Sequence, residues 1–243
     1  MKYTSIIISV IAAVALIGTA CILGSAYKYK YKVNQVITVT GNAKKDFDSD
    51  IVKWTATYSR KSMNLSEASE QLRKDRELVK NFLVQKGIKE SEIVFDPVII
   101  VRDFNYHTDE RGNSYNTFAG YSLSQNVIVE SKELDKVDNA SREISGLISQ
   151  GVELMSNAPN YYYSKLEDLK LALIAEASQN AKSRAENIAK ESGSSLGKLL
   201  KADLGIFQIT GQNSNEEFSY GGVFNTTSRA KTANITVKVS YGL

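Results

Sequence analysis

From Ile6 to Leu23 the chain runs eighteen residues of apolar or small side chains without a charge, and only Lys2 stands in front as a cation. Such a segment has no place on a watery surface. It is an export signal to be removed, or a helix crossing a hydrocarbon core about 30 Å thick. Gly24-Ser25-Ala26 supply small residues at the spacing a signal peptidase needs before Tyr27. A cleaved signal peptide (residues 1–26) and an uncleaved anchor through residues 6–23 therefore stand side by side. Lys28, Lys30 and Lys32 oppose an N-inside orientation, which is a bias and not a bar. Cys21 lacks the flanks of a lipid-modified cysteine, with Gly18-Thr19-Ala20 before it and Ile22 after, and reads as a small apolar residue. Tyr27, Tyr29 and Tyr31 alternate with the three lysines, as in an interfacial layer. Residues 27–36 are expected to be a stalk or the entry to a first strand, with a folded body over 37–243.

The body contains no cysteine, so it has no disulfide, thiolate nucleophile or cysteine-ligated metal. Outside residues 1–26 there are 29 basic and 27 acidic residues, a balance that argues against nucleic acid as a partner. About 217 residues can bury a sufficient core unaided.

Periodicity supplies the elements. Val33–Asn42 alternates as a strand, and Ile51–Ser59 alternates with Val52, Trp54, Ala56 and Tyr58 on one face. The polar link Lys44–Asp50 predicts a hairpin between them. Leu65, Ala68, Leu72, Val79 and Leu83 predict a helix with Asn64 as N-cap and Gly87 as stop. Ile93–Val101 reads as a strand that is an edge or starts at Pro97, because proline cannot donate to a ladder. Residues 102–117 read as a long polar hairpin tip, and Phe118–Glu130 as its returning strand. A second helix from Leu134 ends at Gly151, and Val152–Tyr162 follows as a strand. Ser164 and Glu167 predict a capping box for the longest helix, which ends at Gly193. Leu199–Thr210 and Thr226–Tyr241 read as the last strands, separated by a glycine-rich loop over 211–222. The expected fold class is α+β: a mostly antiparallel sheet with three helices packed on one face, behind a hydrophobic N-terminal segment.

The chemistry-bearing residues are few. His107, the only histidine, lies near Asp103, Asp109 and Glu110 in the polar tip and reads as a solvated side chain, not a ligand or base. Asp46, Asp48 and Asp50 match the start of a calcium loop, but Ile51 and Thr57 stand where glycine and glutamate are required. Neither a phosphate loop nor a dinucleotide fingerprint is present. No catalytic, metal or cofactor site is expected, and the chain reads as a non-enzyme. Tyr161, Tyr162 and Tyr163 are consecutive, so they cannot all face one side of a strand. With His107 and Arg111 they are the candidate interaction surface.

An ordered set of segments resembles the SIMPL-domain family, formerly a domain of unknown function, of bacterial periplasmic and envelope proteins. It includes Ile37-Thr38-Val39-Thr40-Gly41, the Gly87-Ile88 helix exit, Gly120-Tyr121, the stretch Ala181–Leu200 and the closing Ile235–Tyr241. Asn42-Ala43 after Gly41 and the charged 102–117 hairpin depart from the commoner pattern. The resemblance implies an exported α+β domain in the periplasm or cell envelope, a homo-oligomer, and a link to envelope or oxidative stress. It implies no reaction. The leading expectation is a self-associating envelope scaffold. The alternative is a periplasmic module binding a glycan or small metabolite near Tyr161–Tyr163 or the 211–222 loop.

Overall fold

The computed structural model describes residues 2–32 and 35–243. Helix α1 (Lys2–Lys32) contains one stretch, Val10–Tyr29, long and apolar enough to cross a membrane. Twenty helical residues rise about 30 Å, the thickness of a hydrocarbon core. Every α1 side chain described is exposed, so the helix presents its apolar surface outward. The tyrosine–lysine stretch expected as a stalk or strand continues this helix as far as Lys32. Val33 lies outside the described residues.

The body is built on two sheets, not the one expected. In sheet A, β1 (Val36–Asp48) pairs antiparallel with β11 (Ala230–Gly242) along its whole length. On the far side of β11 lie β8 (Leu199–Leu204) and β9 (Gln208–Gly211), and β10 (Val223–Phe224) adds to β9 in parallel. In sheet B, β2 (Ile51–Ser62) pairs with β5 (Ser114–Ser131). Beside β5 lie β3 (Ile93–Phe95) and β4 (Ile99–Thr108), and beside β2 lie β6 (Glu153–Ser156) and β7 (Asn160–Tyr162). The predicted β1–β2 hairpin does not form. Ser49 and Asp50 instead carry the chain from one sheet to the other, with Asp50 N–H donating to the Tyr162 carbonyl at 3.0 Å.

Each sheet has its own core. In sheet B, Trp54, Tyr58, Val127 and Val129 pack against helices α2 (Leu65–Gln85) and α3 (Leu134–Glu143). In sheet A, Val39, Ile235, Val237 and Val239 pack against α4 (Leu166–Glu191). The expected single helix layer is therefore divided, two helices to one sheet and one to the other. Among the described residues, neither core includes one of α1.

The α4 stripe is Leu169, Leu173, Ala177, Ala181, Ala185 and Ala189, a pure four-residue repeat. Its alanines let the helix lie very close to β1. A Cβ on Gly41 would stand 2.1 Å from the Ala177 carbonyl oxygen and 2.5 Å from the Ala181 nitrogen. Arg184 and Ile188 sit beside the stripe, and Ile188 is exposed. Arg184 donates to the Thr40 carbonyl at 3.0 Å, while Asn42 N–H donates to Asn180 Oδ1 at 3.3 Å. Side chains of α4 thus reach over and occupy backbone groups on the outer edge of β1.

Local signals account for the helix ends. Asn64 Oδ1 accepts from the Ser66 and Glu67 nitrogens at 2.9 and 3.4 Å. Ser62 Oγ donates to Glu67 and accepts from Asn64 N–H, closing the cap through a third residue. Gly87, Gly151 and Gly193 each take a positive φ at a helix exit, and the next N–H bonds back to Leu83, Leu147 and Ala189 respectively. The Ser164–Glu167 box does not form. Ser164 turns instead to Asp50, donating from N–H at 2.7 Å and Oγ at 2.5 Å, which holds the crossover in place. Pro97 divides the predicted Ile93–Val101 strand into β3 and β4, and Ala158-Pro159 divides Val152–Tyr162 into β6 and β7.

One buried cation gives sheet A a pH signature. Lys231 is only 2% exposed; its Nζ donates to the Asn225 carbonyl at 2.6 Å and to Asn225 Oδ1 at 3.3 Å. Burial pushes its pKa down from 10.5 to about 8, against the pull of Glu216. Below pH 8 both folded and unfolded chains carry the charge and folding bears the full desolvation penalty. Above 10.5 both are neutral and the penalty is gone, so stability from this group rises between the two values. Measured by denaturant titration, wild type should gain up to about 3 kcal/mol relative to Lys231→Met across that window. A constant difference would refute the assignment.

Candidate interaction surfaces

The five sequence-nominated residues fall in two separate places. Tyr161, Tyr162 and Tyr163 lie on and just after β7, all half-buried, where the two cores meet. Tyr161 packs on the sheet B core and donates from its hydroxyl to Asp138 Oδ1 at 2.8 Å; its backbone N–H donates to the Thr226 carbonyl at 2.7 Å. Burial, and then the Asp138 bond, pushes its phenol up to about 12. Tyr163 packs on the sheet A core and tilts against Phe47 at 5.0 Å between ring centres. Together they stitch the lobes. A polar cleft of about 470 Å³ opens beside Tyr161, lined by Asp138, Arg142, Ser145 and Asn157 among others.

His107 and Arg111 lie on the β4–β5 hairpin. The segment expected as a loose tip is two paired strands, and only residues 109–113 form the turn. Asp109 organises that turn by accepting from the Arg111 and Asn113 backbone N–H groups at 2.9 and 2.8 Å and from Asn113 Nδ2 at 3.0 Å. The Asn113 side-chain bond and the backbone bonds hold the Asp109 carboxyl below the usual carboxylate range. His107 stacks on Tyr115 with ring centres 5.2 Å apart, its Nε2 3.0 Å from Thr117 Oγ1. A register shift falls between Asp103 and Phe104, opposite Gly120 with φ +119°, the mark of a β-bulge.

The larger feature of this hairpin escaped the sequence reading. Ile99, Ile100 and Val101 are consecutive, and each is at least 50% exposed. Neighbours on a strand point to opposite faces, so β4 is open on both. Phe104, Tyr106, Tyr115 and Phe118 extend the apolar surface along the arm. Among the described residues β4 pairs with β5 alone, leaving its other edge unpaired. Under Ile100 a groove of about 780 Å³ runs beside Leu65, Ser66, Ser69 and Arg73 at the start of α2. Pro97 marks this stretch as an edge, and β4 is one, but nothing in the run says that its apolar residues stay exposed. The partnering of an edge is not written in such a run.

The acidic triplet does not converge. Asp46 accepts from Thr232 Oγ1 at 2.6 Å and Gln212 Nε2 at 3.2 Å, while Asp50 holds Ser164. Among the described residues no three His, Cys, Asp or Glu side chains stand together as a metal-binding group.

No curated protein matches the chain. The family model for SIMPL, described as a protein of unknown function (DUF541), matches residues 37–241, from the second residue of β1 to the next-to-last residue of β11. That is nearly the whole body and well over half of the sequence, so the chain belongs to the SIMPL family.

Proposed function

We infer that this protein is an exported envelope component that works by self-association and carries out no bond-making chemistry. Its N-terminal helix serves as export signal or membrane anchor. The observation that carries this reading is the edge of β4: ten residues long, apolar on both faces over Ile99–Val101, and paired on one side. A strand in this state is a template for another strand. The contrast with β1 supports the choice of edge, because α4 side chains already occupy the outer edge of β1. A second copy is the occupant best matched to a surface that reads as half of an interface core.

The test uses residues 35–243, which contain both cores complete. Light scattering should give a mass above the monomer, falling with dilution. Ile100→Lys should weaken association at least tenfold, about 1.4 kcal/mol. It should move stability by no more than about 0.5 kcal/mol, because Ile100 is exposed. A monomer at every concentration, or an Ile100→Lys variant with unchanged mass, would overturn the reading.

A further inference from the structure

The second face of sheet A is uncovered. Ile235, Val237 and Val239 turn toward α4, so the alternate residues of β11 turn the other way. They meet polar cross-strand partners: Asn42 beside Thr236, Thr40 and Asp203 flanking Lys238, and Thr38 hydrogen-bonded to Ser240 at 2.8 Å. Asn42 Nδ2 also donates to Asn234 Oδ1 at 3.1 Å. The result is a grid of hydroxyls and amides with one opposite-charge pair, Lys238 and Asp203.

At one end of the grid lies a hollow. Where β8 gives way to β9 the chain passes Thr236 as Gly205, and a Cβ there would lie 2.5 Å from Thr236 Oγ1. The cavity of about 330 Å³ is bordered by Ile206, Phe218 and Tyr220, with Asn234 and Thr236 along β11. Phe218 and Tyr220 are both strongly exposed, and neither belongs to a core. The backbone between them is nonetheless held in place. The Gln208 amide donates to the Ser219 carbonyl at 2.8 Å and accepts from Ser219 N–H at 3.2 Å, gripping the residue between the two rings. Glu216 secures the other end of the loop, accepting from Gly211 N–H at 2.9 Å and from Asn225 Nδ2. Two exposed aromatic rings on an anchored loop beside a polar grid suit a ligand that is apolar on one side and hydroxylated on its rim.

We propose that this hollow binds one pyranose unit of a glycan, with neighbouring units lying along the Thr236–Lys238–Ser240 row. The ring's C–H face stacks on Phe218 or Tyr220, and its hydroxyls meet Asn234 and Thr236. A purely apolar guest fits less well, because it would strip water from those polar groups and give nothing back. The site lies on the sheet opposite to β4, so it does not depend on self-association.

The experiment titrates the full chain, in a detergent without a sugar head group, with cellotetraose and with chitotetraose by calorimetry. At least one should bind with a dissociation constant below about 1 mM, and Phe218→Ala/Tyr220→Ala should raise that constant at least tenfold, about 1.4 kcal/mol. The melting temperature of that variant should be unchanged, since neither ring is buried. Ile100→Lys should leave binding intact, which separates this proposal from the one about β4. Absence of binding by both oligosaccharides overturns the proposal. So does wild-type affinity in the double variant, or binding of indole where neither oligosaccharide binds.

Discussion

Gly41→Val is expected to be the most damaging single change in the body, lowering stability by at least about 3 kcal/mol, which corresponds to roughly 6–12 °C in melting temperature for a domain of this size. The cause is backbone against backbone. The added Cβ would enter the space held by the Ala177 carbonyl oxygen and the Ala181 nitrogen, and a helix cannot rotate those atoms aside without leaving the sheet. The same geometry predicts a failed rescue. Ala181→Gly removes the Ala181 Cβ, itself 2.7 Å from the position a Gly41 Cβ would take, but leaves both backbone contacts in place. The double variant Gly41→Val/Ala181→Gly should melt no higher than Gly41→Val alone. Recovery of most of the lost stability would show that side-chain crowding, and not helix approach, sets the requirement for glycine.

The Arg60–Asp75 pair should give the second large effect, and an unequal one. Arg60 on β2 grips the Asp75 carboxylate of α2 with both Nε and Nη2, the latter at 2.7 Å, and that bond raises the guanidinium pKa still further. The partners differ in exposure, 26% for Arg60 and 2% for Asp75. Arg60→Ala therefore strands a carboxylate where water cannot reach it, and should cost about 3–5 kcal/mol. Asp75→Ala leaves a guanidinium that can swing toward solvent, and should cost nearer 1–3 kcal/mol. Chemical denaturation of the two single variants and the double variant would measure the coupling. Equal costs for the two single variants would contradict the solvent-access argument.

Most of the elements, and few of their neighbours, were legible in the residues. Alternation at Val52, Trp54, Ala56 and Tyr58 identified β2 and its inner face, and Asn64 and Gly87 bounded α2, because each signal is local and strong. Period-two alternation says which face of a strand is buried but not which strand lies alongside. That is why β1 was paired with β2 instead of with β11, nearly two hundred residues away, and why one sheet was expected where two exist. The capping box at Ser164 failed for a related reason: Asp50, distant in sequence, offered the hydroxyl a better partner. At the candidate surfaces, the three tyrosines and His107 were chosen for side-chain chemistry. The exposure of Ile99–Val101 and the hollow at Gly205 depend on where the sheets end, which follows only from the assembled topology.

The pairing of β1 with β11 also sets a timetable. Everything in sheet B lies between residues 51 and 162, so that lobe can close while the rest of the chain is still arriving. Strand β1 has to wait for residues 230–242. At synthesis rates of about 5–20 residues per second the delay is roughly 10–40 s, during which a strand that has already emerged lacks its mate. A nascent polypeptide of this design would need a holding partner, or a slow hand-off across the membrane, until its tail arrives.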